Sequence, residues 1–489
     1  YHPDHRRWLD VDVRVGSPDL DSTHPLRSGR DRSRRHGRAL AVSDDVDVIC
    51  RGIWREIDAR FVEAQERWAK VESDQQVLVG EEPAEDLAPT TPVTEIHPPA
   101  TLELDLERWE ETLRRASAVL AESAVVHDGS VTLSAAAQTR WFVSSDGARI
   151  RDARTHLRVS IHVNTMADDG EELSLGHSWD ATAAAGLPTE GQVVARVREM
   201  EALLAQLRVA PTQDPYTGPA VLSGRAAAVF FHEILGHRLE GHRLKRIDDA
   251  QTFRDMVGEP ILPTFLSVID DPGLPRVGEQ DLNGHYLFDN QGVRAQAVSL
   301  VRDGILEDFL QSRSPVRKGE QSNGHGRRQR GFDAVTRQGN LIVLAPGGVG
   351  EYRLRNELLS RVEEAGLEYG LQIEDISGGF TLTGRTMPNA FDVKVVIARR
   401  IYLDGRPDEL VQGIDLIGTP LVTFGRIEMA GEGVEVFNGR CGAESGWVPV
   451  SAVSPPLLIG EVETQRKSTA QLTPPLLPPP VSAGGEEAP

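Results

Sequence analysis

Arg225-Ala-Ala-Ala-Val-Phe-Phe-His-Glu-Ile-Leu-Gly-His237 is the stretch from which the rest of the chain can be read. From Ala226 to Phe231 every residue is apolar. A helix that is hydrophobic all round has no face to offer water, so it belongs inside a core. Ser223-Gly224 opens it with a capping side chain, and a short strand near Ala220–Leu222 leads into it. Into this apolar setting the sequence places His232, Glu233 and His237. A buried carboxylate without a partner is costly, and it either takes up a proton or finds a cation. Two imidazoles and a carboxylate converging on one divalent ion satisfy all three groups together.

The spacing carries a further expectation. In His-Glu-x-x-His the histidines are four apart, about 40° round a helix. Here they are five apart, which leaves them about 140° apart at 100° per residue. No undistorted helix aims both at one ion. Gly236 stands just before the second histidine, where a break or π-bulge costs little, so the helix is expected to be irregular over Leu235–His237. A catalytic zinc takes three protein ligands and keeps one position open. Two residues can supply the third: His242, near in sequence, and Cys441, remote but in a glycine-flanked turn, Phe437-Asn-Gly-Arg-Cys-Gly-Ala-Glu444. Spacing does not separate them.

Outward from this segment the chain divides. Residues 1–42 read as an irregular arm. Val46, Ile49, Cys50, Ile53, Trp54, Ile57 and Phe61 recur at three- and four-residue spacing, an amphipathic helix from Ser43-Asp44 to about Lys70 with Cys50 as a core thiol. An acidic, proline-rich linker spans 80–100, and helices are expected near 105–122 and 190–207. Asp128-Gly129, Asp146-Gly147 and Asp169-Gly170 are turn pairs among short alternating segments, the signature of antiparallel hairpins. This makes 43–215 an N-terminal α+β domain, an antiparallel sheet with helices. After a boundary at Pro211–Pro219, residues 216–470 read as a β-rich domain around the metal-binding helix. Its strands are expected at 264–270, 296–302, 340–344, 380–384, 392–402 and 420–429, with one helix at 353–366 and a hairpin turn at Asp404-Gly405. Residues 471–489 are a proline-rich disordered tail. The fold class is therefore α+β.

Composition excludes several function classes. The 489 residues carry a net charge of −21, 39% hydrophobic and 26% charged residues, a globular balance. An anion of that size repels phosphate backbones, so no nucleic-acid partner is expected. Arg27, Arg30, Arg32, Arg34, Arg35 and Arg38 read as a solvated arm. No apolar run is long enough to span a bilayer, so no membrane partner is expected. Two cysteines, Cys50 and Cys441, rule out a disulfide scaffold and suit a reducing, cytoplasmic compartment. The sequence starts at Tyr1, which is compatible with a leader removed before it.

The stretch Leu222-Ser-Gly-Arg through Leu239-Glu-Gly241 resembles the TldD/PmbA family of metalloproteases, specifically the TldD-type subunit with its His-Glu-x-x-x-His motif. Three further blocks agree: Gly292-Val-Arg with Leu300-Val-Arg-Asp-Gly-Ile-Leu306, Ala398-Arg-Arg-Ile-Tyr-Leu-Asp-Gly405 with Val411–Gly418, and Glu428–Val450 around Cys441. The resemblance spans roughly 125–465. It implies one Zn²⁺ per chain held by His232, His237 and Cys441, with Glu233 as the general base that takes a proton from the attacking water. It also implies unfolded or small precursor peptides as substrates, and a homodimer or a heterodimer with a sister subunit lacking the motif. The chain departs from the family pattern at His242, where an aspartate often follows Leu-Glu-Gly, and after Ser322-Asn-Gly-His-Gly-Arg-Arg-Gln-Arg330, which bears on substrate selection. Glu240 is a candidate to orient a ligand from behind. His242, His285 and His325 are candidate oxyanion donors. The rival readings are a non-catalytic partner subunit or scaffold, and a metal-dependent amidase.

Overall fold

The structure is a computed structural model that describes residues 4–26, 37–75, 84–167, 170–245, 252–381 and 391–467. The arginines from Arg27 to Arg35, the segment 471–489, Asp169 and positions 382–384 of one expected strand lie outside these residues. The expected α+β class holds. Its helices are α1 (Val46–Gln75), α2 (Leu106–Glu122), α3 (Glu190–Val209), α4 (Gly224–Ile234), α5 (Glu351–Glu364) and α6 (Pro420–Gly425). Among the described residues no helix is long and apolar enough to cross a membrane.

The central region is a mainly antiparallel sheet under two helices. The expected 80–100 linker and wholly antiparallel sheet are corrected by Thr94–Ile96, a short strand that pairs parallel with the start of Arg149–Met166. Strand Asp128–Val143 pairs along its whole length with Arg149–Met166, and Glu172–Ala181 pairs on the far side of the latter. Asp146-Gly147 forms the connecting turn, with Gly147 at φ +103°, a conformation that favours glycine. Asp128-Gly129 does not turn the chain. Its partner strand continues opposite it, so Asp128 faces Asn164 and Gly129 faces Val163, and the ladder takes the backbone groups that a turn would have used. Asp105 caps α2, and Thr189 with Gln192 forms a capping box on α3. Trp109, Ala116 and Leu120 of α2 and Val193, Val197 and Leu204 of α3 pack on Val159, Ile161 and Val163 of the sheet.

The C-terminal region has two large sheets with α4 between them. Strands Tyr369–Thr381, Thr217–Leu222, Leu457–Arg466, Ile414–Gly418 and Phe391–Tyr402 pair in that order, and the last pairs again with the first. The sheet therefore closes into a small barrel. The second sheet has six strands and ends in Asn340–Leu344, Gly446–Ser454 and Glu435–Ala443. α4 contacts strands of both sheets. Its Phe230 meets Phe391 and Phe424 edge-on, and its apolar side chains join a single cluster that runs from Leu371 and Val393 to Val268 and Leu341.

Further expectations are corrected. The 1–42 arm is not wholly irregular, because Arg7–Leu9 pairs antiparallel with Arg38–Leu40. The segment 420–429 is not one strand. Pro420 starts the short helix α6, where its missing N–H costs nothing, and a strand begins only at Ile427. Cys50 is exposed rather than a core thiol. Most of its stripe is exposed as well: Trp54 is 76% exposed, Val46, Ile57 and Phe61 are exposed too, and Ile49 and Ile53 are half-buried. The face that α1 turns inward carries Glu56, Ala64, Arg67 and Val71. Arg67 donates to the carbonyls of Ser22 and His24, and Arg60 and Arg38 pair with Glu56. Bonds of Glu56, Arg60 and Arg67, together with buried Ala64 and Val71, hold this face inward.

Candidate metal centre

Ser223 caps α4 by accepting from the Ala226 amide, and the helix then runs through the core with Ala226 to Phe231 buried. It stops at Ile234. Leu235 keeps helical angles, and Gly236–Leu239 tightens into a 3₁₀ turn. The irregularity expected over Leu235–His237 is therefore present. A side chain on Gly236 would place its Cβ 1.9 Å from Gln338 Oε1, so any other residue there forces the Gln338 amide to move. The break rotates His237 back toward His232, and the two rings stand 5.0 Å apart between centroids.

Cys441 completes the group. It lies on Glu435–Ala443, the edge strand of the six-stranded sheet, which packs on α4. Its Sγ is 3.2 Å from His237 Nε2, and one donor atom from each of His232, His237 and Cys441 lies within 4.8 Å of the others. Small side-chain rotations bring three donors with that spread onto one ion at bonds of about 2.0–2.3 Å. All three residues are buried, and His232 Nδ1 has no hydrogen-bond partner among the described residues. Two imidazoles, one thiol and an orphaned buried nitrogen fit a borderline-soft cation, the class to which zinc belongs.

Without an ion, the thiol and the imidazoles stabilise each other's charged forms. Burial pushes the Cys441 thiol up, but the His237 and His232 imidazoles outweigh it and hold the thiol well below its ordinary value. Burial pushes His237 down, while Cys441 and Glu240 hold it up at about 10. A thiolate is the form that binds metal. Glu240 is wholly buried, with Oε2 3.2 Å from His237 Nδ1. This fixes the ring so that Nε2 faces Cys441, the arrangement by which carboxylates orient metal-binding imidazoles. Glu240 is held low despite burial by His237, Arg243 and Arg337. Glu233 Oε2 lies 3.9 Å from His237 Nε2, on the side of the ring that faces the thiol.

The structure thus brings His232, Glu233, His237, Glu240 and Cys441 together. It turns His242 elsewhere: that ring's Nε2 bonds Glu444, which also accepts from Arg243. His325 is buried between Asp270 and Asn323, and His285 bonds the Pro272 carbonyl. Both ring nitrogens of His325 and Nδ1 of His285 are engaged within the fold rather than offered to an oxyanion. Glu444, Arg337 and Gln338 escaped the sequence reading. Glu444 lies three positions after Cys441, a proximity that could have flagged it. The other two had no local signal.

A thiolate and two imidazoles buried beside a carboxylate define a candidate metal centre on a helix enclosed by a barrel and a sheet. Residues 215–466 match the model of the PmbA/TldA metallopeptidase C-terminal domain, and residues 99–203 match that of the central domain. The chain belongs to the PmbA/TldD family. A relative called a metalloprotease, from Methanothermobacter thermautotrophicus, is 28% identical over 322 residues, 64% of each chain. A metalloprotease TldD homologue from Haemophilus influenzae is 25% identical over 349 residues, 68% of this chain and 66% of that one. The match thus spans slightly less than two thirds of these relatives' length. A crystal structure from Thermotoga maritima, described as a modulator of a DNA gyrase, shares the fold with a TM-score of 0.56 at 16% identity, over 82% of this chain and 83% of that one.

Proposed function

We propose that this chain is a zinc-dependent peptidase of the His-Glu-x-x-x-His type, binding one Zn²⁺ through His232, His237 and Cys441 and cleaving unfolded or small precursor peptides. The observation that carries the reading is the buried N₂S donor group with Glu233 beside it. A divalent ion in that group would supply Lewis acidity, activating a water and polarising a peptide carbonyl.

The chain's own residues do the rest. Glu233 follows His232 directly, and its carboxylate takes a proton from the attacking water and returns it to the leaving amine. Glu240 holds the His237 ring in register. Burial of the surrounding helix keeps bulk water from competing with these contacts. The net charge of −21 favours peptide over nucleic acid as the partner. Assembly as a homodimer, or as a heterodimer with a motif-lacking sister chain, and a cytoplasmic location belong to the same proposal.

The test is Glu233→Gln, which keeps shape and removes the base. Zinc content should stay near one per chain while cleavage of an unfolded peptide falls by about 10²–10⁴-fold. Normal cleavage by this variant would remove Glu233 from the mechanism, and a zinc-free wild type would remove the metal site.

A further inference from the structure

Behind the donor group lies a dipeptide that no sequence motif marks. Arg337 and Gln338 sit between the short strand Val335–Thr336 and the strand Asn340–Leu344. Arg337 is wholly buried, and its guanidinium reaches in three directions. Nη2 donates to the Cys441 carbonyl at 2.8 Å. Nη1 donates to Ser445 Oγ and to the Gly446 carbonyl, each at 3.0 Å, in the turn that follows Cys441. Nε lies 3.3 Å from Glu240 Oε1, on the carboxylate whose other oxygen holds His237. Gln338 faces the opposite way. Its Nε2 donates to the His232 carbonyl at 3.2 Å, an acceptor near the helix end, and its Oε1 occupies the space that a Cβ on Gly236 would need.

We infer that Arg337-Gln338 is a positioning brace for the metal ligands: Gln338 fixes His232, and Arg337 fixes His237 through Glu240 and Cys441 through its carbonyl. The inference rests on the metal-site reading above. Neither residue touches the reacting atoms. Each acts through a group that holds a ligand, and the planar guanidinium suits this because its donors are set in one rigid fork. The brace is itself anchored. The Arg337 amide donates to the His325 carbonyl, and the Gly339 and Asn340 amides both donate to the wholly buried Asp270 carboxylate.

The experiment measures zinc affinity by chelator competition on the full chain as wild type, Arg337→Lys and Gln338→Ala. Cobalt substitution reports the thiolate-to-metal absorption band, and melting of the metal-free chain reports the fold. Lysine keeps a charge near Glu240 but loses the fork. Expected are a weakening of zinc binding by about 10–100-fold in both variants, a shifted or weakened cobalt band, and a lower kcat with KM little changed. A purely structural role would lower the melting temperature and leave the cobalt band in place. Should Arg337→Lys not fold, Gln338→Ala carries the test, joined by the double variant Glu240→Gln with Arg337→Met, which removes the buried ion pair as a unit. Zinc affinity within twofold of wild type in the folded variants overturns the brace and leaves the metal site standing. A wild type that takes up no metal overturns both.

Discussion

Helices α1 and α4 are both rich in apolar residues, yet α1 leaves most of its stripe in solvent and α4 vanishes into the core. In α1 the repeat Val46, Cys50, Trp54, Ile57, Phe61 covers one side only, and Glu56, Arg60 and Arg67 occupy the other with bonds of their own. Two faces competed, and the polar one holds the contacts. In α4 there was no competition, because from Ala226 to Phe231 no polar side chain exists to face water. One-sided periodicity says which face can be covered. All-round apolarity says that the helix must be.

The two cysteines give the strongest way to break this comparison. Cys441→Ala should reduce bound zinc from about one per chain to near none, while Cys50→Ala should change nothing, as metal analysis after gel filtration would show. Retained zinc in the first variant would end the ligand role of Cys441. Core substitution comes next. Phe230→Ala, at a fully buried site, should cost about 3–5 kcal/mol, against no more than about 0.5 kcal/mol for Trp54→Ala at a surface site. Chemical denaturation with a probe in the C-terminal region reads both. Gly236→Ala should be intermediate, costing about 1–3 kcal/mol through forced overpacking against Gln338 and weakening metal binding with it. A silent result would show that the 3₁₀ turn adapts freely. The smallest effect is one of rate. Backbone amides of α1 should exchange with solvent faster than those of α4, whose opening requires the core to open; equal protection would mean that something outside this chain's described residues covers α1.

Much of the site was legible because its chemistry is local. The five-residue histidine spacing demanded a break, and Gly236 said where it falls. Asn340–Leu344, bounded by turn residues and apolar throughout its middle, was read at the observed residues. Pro420-Leu-Val-Thr-Phe-Gly425 was misread because an apolar run of that length suits a strand or a buried helical turn equally well. Family likeness, and not spacing, favoured Cys441 over His242. The reason His242 is elsewhere, its bond to Glu444, depends on a contact between positions 202 apart. Arg337 and Gln338 were invisible for the same cause. Each acts on residues some hundred positions away, and no periodicity reports such distances.

The donor atoms at the centre come from positions 204 apart in the chain. During synthesis the two imidazoles emerge from the ribosome long before the sulfur does. The edge strand that carries the sulfur joins its sheet through Gly446–Ser454, a partner that is made later still. A chain interrupted anywhere before position 441 therefore lacks one of the three donor atoms, and the group is complete only after some two hundred further residues have followed the histidines.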